Sequence, residues 1–279
     1  MISIKHFEKV NTLSTIMIEK GCRFYTSEKL CKIFSFNNEK VCHIVGSGWS
    51  LNHSKDIIRE EDFVVGFNFS AFADIKFDAY FIELAGSKFH FESIIQYMLL
   101  DEVVFPSVKN VFFKNIWEKK NDLDMMIKFY KDKLIFLKDI LLYTKEVGDA
   151  YRIVENMLQM DKKYVKQICS SVLAIISIAS LSGFNRIVLH GIDFYGPHFF
   201  DMSDFVNKRK TELPRKQISN IKANHFKEFL KKHKTMTKAF IPLDRFIYLF
   251  HKRLLKDNIA LMTASKKSPS SKILPLYDA

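Results

Sequence analysis

Cysteine is scarce and unpatterned. Cys22, Cys31, Cys42 and Cys169 are the only four in 279 residues. No two stand at the C-x-x-C spacing, which argues against a zinc site or a disulfide framework and fits a reduced, cytoplasmic setting. No run of 18 apolar residues is present, so a membrane-spanning helix is not expected. Residues 1–20 lack the apolar core that a secretory leader needs. Internal repeats are missing too. His53, His90, His233 and His251 show no paired ligand spacing and read as surface residues. The D-x-D at Asp122, Leu123 and Asp124 stands in a Lys-rich helical pattern rather than behind an apolar strand, so it reads as a solvated face. Neither a Walker lysine nor a G-x-S-x-G elbow appears.

Apolar residues make up 48% of the chain, 27 of them Phe, which is ample for a folded core. The excess of positive charge is confined to one end. Between residues 207 and 272 there are 18 Lys and Arg against 4 Asp and Glu, a net +14, while the rest of the chain carries −2. Such a segment suits a polyanion, either nucleic acid or an anionic membrane face. The sequence has no interleaved aromatic-and-basic pattern of the single-strand binders, so nucleic acid is not the expected partner.

Strand and helix patterns alternate. Residues 1–39 read as a helical preface, and residues 41–45 as a strand that meets Gly46, Ser47 and Gly48 before a helix. "DFVVGFNFSAF", "FDAYFIEL", "EVVFP" and "LIFLKDI" read as further strands. Residues 106–165 are otherwise helical in pattern. "SSVLAIISIASLSG" reads as a buried helix closed by Gly183. The strand "RIVLHGIDF" follows it. "TKAFIP" reads as a last strand and "DRFIYLFHKRLLK" as an amphipathic basic helix. "TASKKSPSSK" has the composition of a disordered end. The expected fold class is therefore α/β: a Rossmann-like parallel sheet flanked by helices. Its parts are an N-terminal extension over 1–39, a nucleotide-binding domain over 40–250 with a lid around 196–220, and a basic tail over 251–279.

In parallel sheets, ligands bind beyond the carboxyl ends of the strands. Gly46, Ser47, Gly48, Trp49, Ser50, Asn68, Glu83, Asp193, Phe194 and Tyr195 all fall at expected strand ends. The glycines let backbone approach a phosphate. The full G-x-G-x-x-G fingerprint is absent because Leu51 takes the last position, and Asn68 stands where a dinucleotide ribose needs an acid, which disfavours NAD.

Together these pieces resemble the bacterial sialyltransferases of glycosyltransferase family 42. The family's G-N/S-G-x-S turn is matched by "IVGSGWSL", its C-N-x-F strand end by "GFNFSAF", and its R-I-T-S-G-V segment, apolar helix and G-I-D-F-Y strand by "KQICSSVLAIISIASLSGFNRIVLHGIDFYG". The likeness runs from about residue 40 to 250, with "GIDFY" intact. It implies a glycosyltransferase A-type variant with a mobile lid. The donor would be a cytidine-monophosphate-activated sialic acid or related 3-deoxy-ulosonic acid, the acceptor a glycan or glycolipid, and transfer would be inverting, with no metal or separate cofactor. Carried onto this sequence, Gly46, Ser47 and Gly48 lie by the donor phosphate, and Asn68, Ser170 and Asp193 line the nucleotide or sugar. Tyr195 stabilises the departing phosphate. Glu83 stands where the family has Asn. His198 replaces the family's second tyrosine, and the family's catalytic His falls near Ile218, where no His occurs.

A base is still needed to take the acceptor proton. His198 is the first candidate, with a phosphate-side donor as its other possible role; His225 is second and Glu83 third. The basic helix, through Phe246, Ile247, Leu249, Phe250 and Leu254 beside its lysines, is expected to dock on the inner face of the cytoplasmic membrane. A homo-oligomer fits as well. Two other readings stay open: another nucleotide-binding transferase, for instance pyrophosphokinase-like, and a domain that binds without catalysing.

Overall fold

Short runs of Val, Ile and Phe form strands because branched and aromatic side chains pack well on a pleated, buried surface. In the computed structural model, which describes residues 3–5, 23–34, 41–83, 108, 110–114, 134–137, 139–143, 146–168, 170–202 and 241–278, they build two sheets. The strands are β1 (Ser3–Lys5), β2 (Arg23–Tyr25), β3 (Cys42–Val45), β4 (Phe63–Phe67), β5 (Ala79–Glu83), β6 (Asn110–Lys114), β7 (Leu134–Leu137), β8 (Asp139–Tyr143), β9 (Val165–Gln167), β10 (Arg186–His190) and β11 (Ala260–Thr263). The helices are α1 (Ser27–Phe34), α2 (Ala150–Met157), α3 (Ser171–Leu181) and α4 (Leu243–Leu255).

The main sheet has the order β11-β10-β3-β4-β5-β6-β7-β2, and each of its pairings is parallel. After β3 the chain adds strands on one side through β7, then crosses back to place β10 and β11 on the other. The reversal falls between β3 and β10, which is where such sheets hold ligands. A smaller sheet, β1-β8-β9, pairs β1 antiparallel to β8 and β8 parallel to β9. The α/β class expected from the sequence is the one observed.

Helix α3 is buried almost all round, as its continuous apolar pattern requires. It ends where expected. Phe184 N–H donates to the Ala179 carbonyl (3.2 Å) and Gly183 N–H to the Ser180 carbonyl (3.1 Å), with Gly183 at φ +94, a conformation that favours glycine. Aromatic contacts join the layers: Phe34 meets Phe63 edge-on at 5.0 Å, and Phe63 stacks on Phe184 at 5.4 Å.

Several expectations are corrected. Residues 23–34 are no separate preface: β2 is the edge of the main sheet, and Leu30 and Phe34 of α1 lie in its core. The stretch after Gly48 forms two 3-10 turns, Trp49–His53 and Lys55–Ile57, in place of a regular helix. "LIFLKDI" divides between the two sheets as β7 and the start of β8. Strand β6 emerges from a region that reads as helical. The outermost strand beyond β10 is β11, further along the chain than "TKAFIP", of which residues 237–240 lie outside the described residues and Ile241 and Pro242 lead straight into α4. The Ser- and Lys-rich end is folded: Ser268 and Ser270 are buried, Thr263 bridges to Leu276, and Tyr277 packs with Val41 and Val188. "EVVFP" and most of the 1–20 pattern lie outside the described residues, as do residues 203–220 of the expected lid.

The apolar stripe of α4 is also corrected. Phe246, Ile247, Phe250 and Leu254 are buried against the domain core, and Leu249 packs partly against it, so none is available to enter a bilayer. No helix among the described residues is long and apolar enough to cross a membrane. Phe250→Ala is therefore expected to cost about 3–5 kcal/mol of folding stability by leaving a cavity. Vesicle co-sedimentation of the folded fraction should not change. Loss of vesicle binding at unchanged stability would return this residue to the membrane.

Candidate functional site

The carboxyl ends of β3 and β10 run level, Val45 opposite His190. Both continue into glycine-rich turns that are zipped together by backbone. Gly46 N–H donates to the His190 carbonyl and Gly48 N–H to the Gly191 carbonyl, each at 2.8 Å. The approach is so close that a Cβ on Gly48 would lie 2.7 Å from the Gly191 carbonyl and would strike the Asp193 carboxylate. Gly191 sits at φ +60, against the same turn.

Beyond this zipper lies a crevice. Gly46, Ser47, Gly48, Phe67, Ser170, Val172, Asp193, Tyr195, His198 and Leu243 are among its lining residues. Ser170 is the N-cap of α3, and its side chain makes no capping bond. The first turns of α3 and α4 therefore reach the crevice at Ser170, Val172 and Leu243, and the dipoles of the two helices supply positive potential there. Most of the residues named from the sequence are thus at or beside one place. Gly46, Ser47, Gly48, Ser170, Asp193, Tyr195 and His198 line the crevice, and Asn68 directly follows Phe67, which does so too. Glu83 closes β5, two strands from β3. His225, His90, His233 and the Asp122 and Asp124 pair fall outside the described residues. Among those described, no cluster of three or more His, Cys, Asp or Glu is arranged to hold a metal ion.

Asp193 does not point an idle carboxylate at a ligand. One oxygen accepts from Ser50 N–H (2.7 Å), the other from Ser50 Oγ (2.5 Å) and Ser268 Oγ (2.7 Å). Burial raises its pKa, while the three donors pull in the opposite direction. The residue clamps the first turn to β10 and to the folded C-terminal segment. A hydroxyl chain continues from Ser268 to Ser270 (2.8 Å) and Thr263 (2.7 Å). Past Asp193, Tyr195 N–H closes a tight turn onto the Asp193 carbonyl (2.6 Å) across Phe194, whose φ is +60. That strained turn leaves Tyr195 51% exposed at the crevice edge.

His198 returns over the first turn through a bridge with Gly48. Its Nδ1 lies 3.0 Å from Ser47 Oγ and 3.2 Å from the Ser47 carbonyl. A carbonyl only accepts, so Nδ1 is the protonated nitrogen. The ring stacks on Phe200 at 5.0 Å and meets Phe69 edge-on at 5.2 Å, which fixes its plane. Asn68, at φ +52, has its backbone carbonyl engaged by the Tyr80 hydroxyl. Its side-chain Oδ1 is buried with no hydrogen-bond partner among the described residues, an arrangement that native structures rarely tolerate without a ligand or water.

Sequence reading missed what lies beneath. His43 Nε2–H donates to Asp62 (3.1 Å), and His43 Nδ1 is 2.7 Å from His190 Nε2. His190 Nδ1 is in turn 3.2 Å from Ser54 Oγ. Both rings are fully buried. Burial drives the pKa of His190 well down, with His43 as a lesser cause, and burial lowers His43 as well, against the pull of Asp62. The visible signal was a single His inside each of two otherwise apolar strands, "VCHIV" and "IVLHG". His53 is exposed as expected, but His251 is buried and bonded through Nδ1 to the Leu261 carbonyl (3.2 Å), which corrects its reading as a surface residue.

No protein-family model matches the chain, and no curated protein matches it in sequence. Among solved structures it is similar to the sialyltransferase CstII of Campylobacter jejuni in complex with the substrate analogue CMP-3FNeuAc, at 16% identity over 86% of this chain and 87% of that one, with a TM-score of 0.49. It is also similar to the monofunctional alpha-2,3-sialyltransferase Cst-I of Campylobacter jejuni, at 18% identity over 85% and 80% of the two chains, with a TM-score of 0.45.

Proposed function

We propose that the chain is a glycosyltransferase that moves sialic acid, or a related 3-deoxy-ulosonic acid, from a cytidine-monophosphate donor to a glycan or glycolipid acceptor. The observation that carries this reading is the crevice at the sheet's reversal point. There the motif residues of the family resemblance meet the start of α3, and Asn68, whose buried Oδ1 has no hydrogen-bond partner among the described residues, directly follows the lining Phe67. Helix starts and the Ser47 hydroxyl suit a phosphate, and a fixed amide acceptor suits the exocyclic amine of a base or a ribose hydroxyl.

In the transfer, the acceptor hydroxyl oxygen attacks the anomeric carbon as the bond from that carbon to the phosphate oxygen breaks. Configuration inverts, the nucleotide leaves, and a base takes the hydroxyl proton. The link of His198 to Ser47 favours the phosphate side for this residue. Its Nδ1–H donates to Ser47, and the Ser47 hydroxyl is then able to turn its own proton toward a phosphate oxygen. Tyr195 adds a second hydroxyl at the same edge. His225, the second candidate from the sequence, is then the one left for the base. Leaving-group relief from hydroxyls and amides needs no metal.

Donor hydrolysis tests the reading directly. Cytidine-activated sialic acid and 3-deoxy-ulosonic acid are expected to release cytidine monophosphate, in EDTA as in buffer. Asn68→Ala is expected to weaken nucleotide binding about tenfold or more, the cost of losing one buried hydrogen bond. Turnover of uridine- but not cytidine-activated sugars would overturn the donor assignment, and loss in EDTA reversed by magnesium would overturn the metal-free mechanism. For partners, the exposed lysines of the C-terminal region fit an anionic membrane surface that presents a lipid-linked acceptor, without insertion of the α4 apolar face.

A further inference from the structure

We propose that Trp49, with His53 beside it, forms a subsite for a pyranose ring of the acceptor glycan at the rim of the crevice; this rests on the reading of the crevice as a donor site. Trp49 opens the 3-10 turn Trp49–His53, and the backbone beneath it is pinned on every side. Ser50 is held by Asp193 through N–H and Oγ, Asn52 donates to the Phe199 carbonyl (2.9 Å), and Ser54 Oγ meets His190. The indole is nonetheless only half-buried.

What it touches explains why. Its Cδ1 and Nε1 lie 3.0 and 3.1 Å from the point where a Cβ of Gly196 would stand. Gly196 lines the crevice and holds φ +96, so no side chain covers the indole at that point. The Nε1–H makes no hydrogen bond with any described residue. His53, exposed, stands edge-on to the indole at 6.3 Å. A tryptophan with one apolar face and a wet N–H is the usual composition of a binding surface rather than of a core.

A rigid aromatic surface suits the C–H face of a pyranose, with the indole N–H and the imidazole offered to its hydroxyls, and little side-chain freedom is lost on binding. A nucleobase would also stack on such a ring. The two ligands predict different results.

The test uses the whole chain and two probes, cytidine monophosphate and a panel of neutral disaccharides (lactose, maltose and chitobiose), read by calorimetry and by tryptophan fluorescence. At least one disaccharide is expected to bind and to quench fluorescence. Trp49→Phe should abolish the quench while the protein stays folded by circular dichroism, and Trp49→Ala should weaken that disaccharide about tenfold or more while leaving nucleotide affinity within about twofold. Failure of every disaccharide to bind, or equal disaccharide binding by wild type and Trp49→Ala, overturns the subsite even when the nucleotide binds. Weakened nucleotide with unchanged disaccharide overturns it in favour of a base platform. Failure of wild type to bind the nucleotide speaks against the donor site itself and is read in a separate titration.

Discussion

Asp193→Ala is expected to destabilise the protein by about 3–5 kcal/mol and to abolish nucleotide binding, because it strands one backbone and two hydroxyl donors in a buried place. The three bonds at 2.5–2.7 Å hold together segments that the sequence separates widely: Ser50, Asp193 and Ser268. Asp193→Asn provides the graded control. Its amide oxygen can still accept from Ser50 N–H, and its NH2 can donate to Ser50 Oγ and Ser268 Oγ once those hydroxyls rotate. The expected loss is then nearer about 1 kcal/mol, the typical net worth of one hydrogen bond. Urea unfolding of both variants decides. Equal and small losses would mean that the clamp is not what holds the first turn against β10.

Acid should unfold the protein earlier than its carboxylates alone dictate. His190, and to a lesser degree His43, have their pKa values lowered by burial in the native state. In the unfolded chain they titrate near the ordinary value, about 6.5. Below that pH the unfolded state binds protons that the native state refuses, so stability is complete above about 6.5 and falls as pH falls toward the depressed native values. Each ring held neutral removes up to about 1.4 kcal/mol per pH unit in that window. His190→Gln, which keeps polar atoms but does not titrate, should flatten the profile between about pH 6.5 and 5 even if it lowers stability at neutrality. A parallel, merely displaced profile would show that these rings do not couple to folding.

How much of this was legible depends on where a residue's partner lies. The strand ends at residues 46–48 and 191–195 announce themselves because glycine, Asp and Tyr follow apolar runs, and such punctuation is local. The Schellman end at Gly183 is local too. Strand β6 is not legible: "NVFFK" is too short for alternation to separate it from the Phe- and Lys-rich helical text around it. The Ser-rich segment after Thr263 misleads for the opposite reason. Its composition is that of a linker, yet Ser268 and Ser270 are buried in a hydroxyl chain that joins Thr263 of β11 and ends on the Asp193 carboxylate just beyond β10. The paired His43 and His190 lie 147 positions apart, so no window over the sequence joins them. The amphipathic pattern of α4 is legible, but periodicity alone does not say whether an apolar face meets a membrane or a core.

The clamp at Asp193 also has a temporal consequence. Its partners are 143 residues before it and 75 after it, so this corner of the molecule closes only after two long loops of chain have been drawn together. Contacts of such separation form late, since the entropy of loop closure is lost before they return anything. During synthesis Ser50 is available to Asp193 as soon as β10 appears, but Ser268 is not. A nascent chain therefore passes through a stage in which the first turn is docked and the carboxylate is still one hydroxyl short, with the crevice outlined before it is locked.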